Sequence, residues 1–388
     1  MTAAAELRPA PQAPRRVRRL RAAIAACVLA LATTCAPVPL GDGPRRQTVR
    51  ALTEQVVLPT LGDVAARAAE LAAAAGALAG APSQQALDAT QEAWRVARGP
   101  WKECDAFAFG PAMDERLAVA IDQFPVEPAK IESEIAGTAA LTVDYIDTIG
   151  ADRKGFHALE HLLFGAGDDL AVLALLTTDA AAPRRRELLV ALAQNLERKA
   201  RELGSAWAPG GGAYAELLAT PSAANPTYTT VKAAIDAFVN ESVFLAELVA
   251  DTRIGKPLGL SAGGTPQPAL EESGPSDNSL ADMAASLRGL RAVYTGARGA
   301  DGASGSGAGI GALVAAQSPA TDREVRDLIE QAIAAIEAIP RPFRAAIVDR
   351  PAEVQAAYDA VKELKRILAT EVLAALGATL KFNDNDGD

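Results

Sequence analysis

The chain of 388 residues contains two histidines, His157 and His161, and they stand four positions apart with Glu160 between them. On a helix, positions i, i+3 and i+4 share one face with Cβ atoms roughly 5–6 Å apart, so the three side chains can converge. Imidazole nitrogen and carboxylate oxygen are ordinary ligands for iron and zinc. The order His-x-x-Glu-His is also the inverted-zincin arrangement, in which two histidines hold zinc and the glutamate activates water. His157, Glu160 and His161 are therefore the candidate metal ligands, and Glu160 is the candidate catalytic base if the protein is a peptidase. The bland alternative is a pair of helix histidines satisfied by nearby carboxylates. A further ligand must come from elsewhere, and Glu241 and Asp114 are candidates. Asp114 and Arg116 fall in a Pro-constrained stretch where charged groups have few packing reasons to exist, which makes them candidates for a supporting polar site.

The elements that must position these groups read as helices. Hydrophobic residues form 49% of the chain and aromatics 4%, with Ala and Leu dominating, and these are the strongest apolar helix formers. Apolar positions recur at helical spacing from Thr48 to Gly80, with Pro59 as a kink. A helix capped by Ser83 runs through Trp94 towards Phe107, bent or interrupted at Gly99-Pro100. Trp94, Trp101 and Phe107 read as a core stripe on it. Residues 109–130 read as a long structured loop. Helices follow over 152–165, 183–207 and 227–251. Ser276 caps a helix reaching Tyr294, a Gly/Ala/Ser-rich loop covers 296–311, Thr321-Asp322-Arg323-Glu324 forms a capping box, and Pro351 and Gly377 bracket the last long helix. Almost no stretch alternates with period two. The expectation is an all-α protein of two helical bundles: an N-terminal domain over 48–254 carrying the histidines, a Pro/Gly-rich linker over 255–275, and a C-terminal four-helix-type bundle over 276–388.

Charge and termini bound the function. Residues 15–21 are Arg-rich and Ala22 to Ala32 is an apolar run too short to span a bilayer, which is the pattern of a signal peptide over residues 1–35. Cys35 is a candidate for lipidation, with ordinary cleavage nearby as the alternative, so any membrane attachment is through a lipid anchor. Without the six arginines and one glutamate of this segment, the 38 basic and 48 acidic side chains become 32 and 47, a net of −15. Such a surface repels phosphate backbones, which argues against nucleic acid, and it favours cations as partners. Cys104, the one thiol outside the export segment, reads as a packed small residue. Asp384-Asn385-Asp386-Gly387 has the opening spacing of an EF-hand loop without its closing glutamate, so a polar tail is expected there.

Gly155-Phe156-His157-Ala158-Leu159-Glu160 matches a G-x-H-x-x-E motif, continued by Leu162-Leu163-Phe164-Gly165. With Ala93-Trp94, Phe109-Gly110-Pro111, Asn225-Pro226, Ile254-Gly255-Lys256-Pro257-Leu258-Gly259, Glu272-Ser273 with Ser276 and Ser279, and the terminal Phe382-Asn383-Asp384-Asn385-Asp386-Gly387-Asp388, it resembles the imelysin-like family over residues 48–388. The resemblance implies a periplasmic or outer-membrane-associated protein with the His/Glu motif near the interface of two helical domains. It further implies a metal cation as cofactor, iron favoured and zinc as the alternative, with iron-uptake components as possible partners. The readings that follow are an accessory iron-binding protein, a zinc metallopeptidase built on His157, Glu160 and His161, or a peptide- or protein-interaction module without metal. Where the family often carries an aromatic residue, this chain has His161, either an added ligand or a substitute packing group.

Overall fold

The computed structural model describes residues 40–299, 304–305 and 307–380, so the expected signal segment, Cys35 and the acidic C-terminal tail lie outside the described residues. The described part is all-α apart from one antiparallel pair of two-residue strands, β1 (Ala297–Arg298) and β2 (Ser304–Gly305), within the Gly-rich loop. No helix among the described residues is long and apolar enough to cross a membrane.

The helices are α1 (Asp42–Leu52), α2 (Leu58–Gly80), α3 (Gln84–Glu103), α4 (Pro111–Asp114), α5 (Leu117–Ile121), α6 (Pro128–Ala136), α7 (Val143–Thr148), α8 (Gly155–Phe164), α9 (Asp169–Thr177) and α10 (Ala182–Trp207). They continue as α11 (Tyr214–Ala219), α12 (Val231–Glu247), α13 (Lys256–Leu258), α14 (Ser279–Thr295), α15 (Ile310–Gln317), α16 (Pro319–Glu337), α17 (Phe343–Asp349), α18 (Pro351–Ile367) and α19 (Leu373–Leu376). The longest, α2 and α10, pack on each other, α2 also packs on α3, and α3 on α14. The spacing of Val64, Ala68, Leu71, Ala75 and Leu78 puts one apolar stripe of α2 into the core, and Leu188, Leu192, Leu196 and Leu203 do the same for α10. Each fully buried leucine contributes about 1.5–3 kcal/mol of transfer free energy. The alanines between them let the helix axes approach closely. In the C-terminal half α14 packs on α16, and α16 on α18.

Several local expectations change in the structure. Residues 109–130 are not a continuous loop: Pro111 and Pro128 occupy first-turn positions of α4 and α6, where a missing N–H costs nothing, and α5 lies between them. Pro59 does not break its helix, because a π-turn over Thr53–Val57 precedes it and the helical path continues into α2. α3 runs through Gly99-Pro100 to Glu103, and Ser83 caps it as expected, its hydroxyl accepting from the Ala86 N–H. The capping box at Thr321 is displaced: α16 opens at Pro319 and Ser318 supplies the cap. An additional helix, α9, forms after Gly165, capped by Asp168. The segment 255–275 holds α13 and two short 3-10 turns, and Glu271 and Ser273 at its end are buried.

Candidate metal centre

The G-x-H-x-x-E motif opens α8, and each of its fixed positions has a separate physical task. Gly155 has φ +76°, and a Cβ placed there would stand 2.3 Å from the carbonyl oxygen of Ile121. Only glycine permits this close approach. The approach brings the end of α5, and with it Asp122, against the first turn of α8. Gly155→Ala is expected to cost about 2–4 kcal/mol, from backbone strain plus the clash, read as a lowered urea midpoint.

His157 and Glu160 lie on the buried face of α8. Nδ1 of His157 donates to Glu160 Oε2 at 2.8 Å. The other oxygen of Glu160 accepts from the Ser276 N–H at 3.0 Å and the Ser276 hydroxyl at 2.7 Å. Both carboxylate oxygens are thus engaged. Glu160 fixes the imidazole's tautomer and orientation, the usual arrangement behind a metal-ligating histidine. Ser276, expected as a helix cap, serves Glu160 instead, and Asn278 stands at the start of α14.

Nε2 of His157 points to Asp122 Oδ1 at 3.3 Å and Glu272 Oε1 at 3.6 Å. It is buried and has no hydrogen-bond partner. Asp122, His157 and Glu272 each offer one ligand atom, all within 4.8 Å of one another, and they form the group among the described residues suited to hold a metal ion. One imidazole nitrogen and two carboxylate oxygens fit iron or zinc.

A charged shell surrounds this triad. Arg98 is fully buried, donates to Asp122, and reaches Asp282 at 2.6 Å, Ser273 at 3.1 Å and Glu272 at 3.2 Å. Its guanidinium lies over the rings of Trp94 and Phe156. Lys102 Nζ bridges Asp122 Oδ2 at 2.7 Å and Glu272 Oε1 at 2.5 Å. Arg253 donates to Glu272 Oε2 at 2.9 Å and to Asp105 at 2.8 Å. Trp101 donates its indole N–H to Asp122 Oδ2 at 2.7 Å, and Trp94 donates to the Phe156 carbonyl at 3.0 Å. The two tryptophans are core residues whose polar edges also build the site.

Burial would raise the carboxyl of Asp122, but the charges of Arg98, Lys102 and His157 overcome it and hold the group well below the carboxylate range. Glu272 is held low against the same burial penalty by Arg253, Lys102, His157 and Arg98. Burial opposes charging of His157, yet Asp122, Glu160 and Glu272 raise it to about 9. The five carboxylates of Asp105, Asp122, Glu160, Glu272 and Asp282 face four cations, Arg98, Lys102, Arg253 and the raised imidazole of His157. The cluster carries a surplus of negative charge that an incoming cation can neutralise.

The remaining candidates from the sequence lie apart from this set. His161 is partly exposed and meets Glu132 at 2.9 Å, and Glu132 is also bound by Arg185 at 2.6 Å. Asp114 ends α4, and Arg116 adopts a left-handed conformation before α5 and lines a surface cleft that Lys154 and Lys199 also line. Glu241 lies on α12, where burial and the neighbouring Asp105 raise its carboxyl to about 8. A raised acid favours the neutral form in the folded state, so that stability is present below the unfolded value of about 4.5 and lost as pH rises through about 8. Glu241→Gln is therefore expected to stabilise the protein by on the order of 1–3 kcal/mol at pH 9 and to change little at pH 4, measured by denaturant titration at both values. Cys104 is buried, and burial pushes its thiol well above the ordinary range, in keeping with a packing role.

Sequence reasoning missed Asp122 and Glu272 as ligands. Signals were present in the Trp101 indole, which needs a buried acceptor, and in the Glu272-Ser273 match. A cleft of about 460 Å³, lined among others by Phe124, Pro125, Pro268 and Arg344, reaches His157, Glu160 and His161. The Phe124 ring stands 5.1 Å from the imidazole.

Comparison with known proteins agrees with this architecture. The Imelysin family matches residues 57–370. Iron-regulated protein A of Synechococcus elongatus is 31% identical over 299 residues, covering 76% of each chain. The solved structure of a putative iron-regulated protein A precursor from Parabacteroides distasonis superposes with a TM-score of 0.77 at 24% identity, over 87% of this chain and 96% of that one. An imelysin-like protein from Psychrobacter arcticum gives 0.65 at 18% identity, over 89% and 99%. With the family matched over most of its length, the chain belongs to the Imelysin family.

Proposed function

We propose that this protein is an exported cell-envelope protein that binds a metal cation, iron favoured, through Asp122, His157 and Glu272, as an accessory to iron uptake. The observation that carries the reading is the buried, unpartnered Nε2 of His157, facing two ionised carboxylates while Glu160 fixes the other ring nitrogen. Mixed nitrogen and oxygen donors without a thiolate suit iron, and zinc is the alternative. The name of the Synechococcus relative supports the iron reading. The Arg-rich and apolar N-terminal residues support export to the periplasm or outer membrane, with Cys35 as the candidate lipid attachment.

A peptidase has less support. His161 turns to Glu132, and both oxygens of Glu160 are committed to His157 and Ser276, which leaves no free base beside a two-histidine zinc site.

Calorimetric titration of Fe²⁺ under anaerobic conditions, Fe³⁺ and Zn²⁺ into the purified protein tests the proposal. One ion per chain is expected for the native protein, with loss of that binding in a His157→Ala/Glu272→Gln variant. Unchanged binding in the variant, or none in the native protein, favours the interaction module.

A further inference from the structure

The carboxylate oxygens of the triad are already paired with cations of the chain itself. Asp122 Oδ2 and Glu272 Oε1 share the Lys102 ammonium, and Arg98 donates to Asp122 Oδ1 and, at 3.2 Å, to Glu272 Oε1. A metal ion entering the triad competes with these cations for the same oxygens, and the two residues differ in how firmly they are held. Arg98 is fully buried, is tied by two nitrogens to Asp282 and by one to Ser273, and lies over two aromatic rings. Lys102 pairs with Asp122 and Glu272 and sits on a flexible four-carbon stem. Both of its bonds are to the carboxylates the metal would use.

Resting on the metal-binding reading above, we propose that Lys102 is a built-in competitor cation. It holds Asp122 and Glu272 together in the metal-free protein and gives up that bridge when a metal ion binds. In the metal-free state its charge offsets the repulsion between two buried carboxylates, so the site stays formed without an ion. In the loaded state the same charge opposes the metal. The consequence is a site that loads and releases its cation, in contrast with a structural site that holds it permanently.

Lys102→Met keeps the length of the stem and removes the charge; Lys102→Arg keeps the charge and strengthens the bridge with a planar fork. Fe²⁺ and Zn²⁺ binding by calorimetry, the thermal midpoint of the metal-free protein, and the rate of metal transfer to an added chelator are measured for native protein and both variants. Lys102→Met is expected to bind at least tenfold tighter and release more slowly, with a metal-free midpoint lower by ~5 °C that saturating metal restores. Lys102→Arg is expected to bind at least severalfold more weakly without loss of metal-free stability. If the native protein binds and Lys102→Met binds equally or more weakly, or Lys102→Arg binds as tightly as native, the role of Lys102 is overturned while the metal site stands. If the native protein binds no ion, the underlying reading fails as well. Should Lys102→Met not fold, the sign of the Lys102→Arg effect decides the matter.

Discussion

His157→Ala is expected to lower cation affinity by at least a hundredfold, while His161→Ala changes it less than about threefold. The two histidines share one helix, so a contribution from general helix stability would affect both. Only His157 turns a buried ring nitrogen towards Asp122 and Glu272; His161 is partly exposed and paired with Glu132. Glu160→Gln is expected to fall between them, because it keeps an acceptor for Nδ1 but removes the charge that orients and strengthens the imidazole. Side-by-side calorimetry of the three variants reads the order directly. Equal losses at His157 and His161 would instead place the ion on the exposed face of α8.

The second large effect is on stability. Arg98→Leu is expected to destabilise the metal-free protein by about 3–5 kcal/mol, measured from the shift in a guanidinium unfolding midpoint. Removing one member of a buried ion cluster leaves its partners uncompensated, and here Asp122 and Asp282 would both lose their closest guanidinium contact. The substitution also removes contacts with Trp94 and Phe156, so α3, α8 and α14 lose a shared anchor. A loss below ~1 kcal/mol would show that the cluster is held together by packing alone.

The local part of the site was legible in the sequence because helical periodicity is local: His157 and Glu160 share a face by spacing alone, and the structure joins them at 2.8 Å. The same spacing suggested His161, but side chains one turn apart can lean to different neighbours, and Glu132 with Arg185 draws it away. Asp122 and Glu272 were not legible as ligands, because their proximity to His157 depends on how α5 and the end of segment 255–275 pack against α8. No local pattern encodes that meeting; the nearest hint is Gly155, whose missing Cβ admits the Ile121 carbonyl. The helical class was readable from Ala/Leu content and periodicity. The stretch 109–130 resembles a loop in sequence because Pro is a breaker inside a helix but a favoured starter in its first turn. Ser276 fits the pattern of a cap, a serine before an apolar run, whereas in the structure both of its donors go to the buried Glu160 carboxylate.

A crystal structure of the protein soaked in Fe²⁺ or Zn²⁺, with anomalous difference maps collected at the metal edge, identifies the three ligands. One dominant peak is expected within coordination distance, about 2.0–2.3 Å, of His157 Nε2 and of carboxylate oxygens from Asp122 and Glu272, with Glu160 still bonded to Nδ1. A peak shared by His157 and His161 with Glu160 alongside, or peaks confined to the acidic surface, would contradict it.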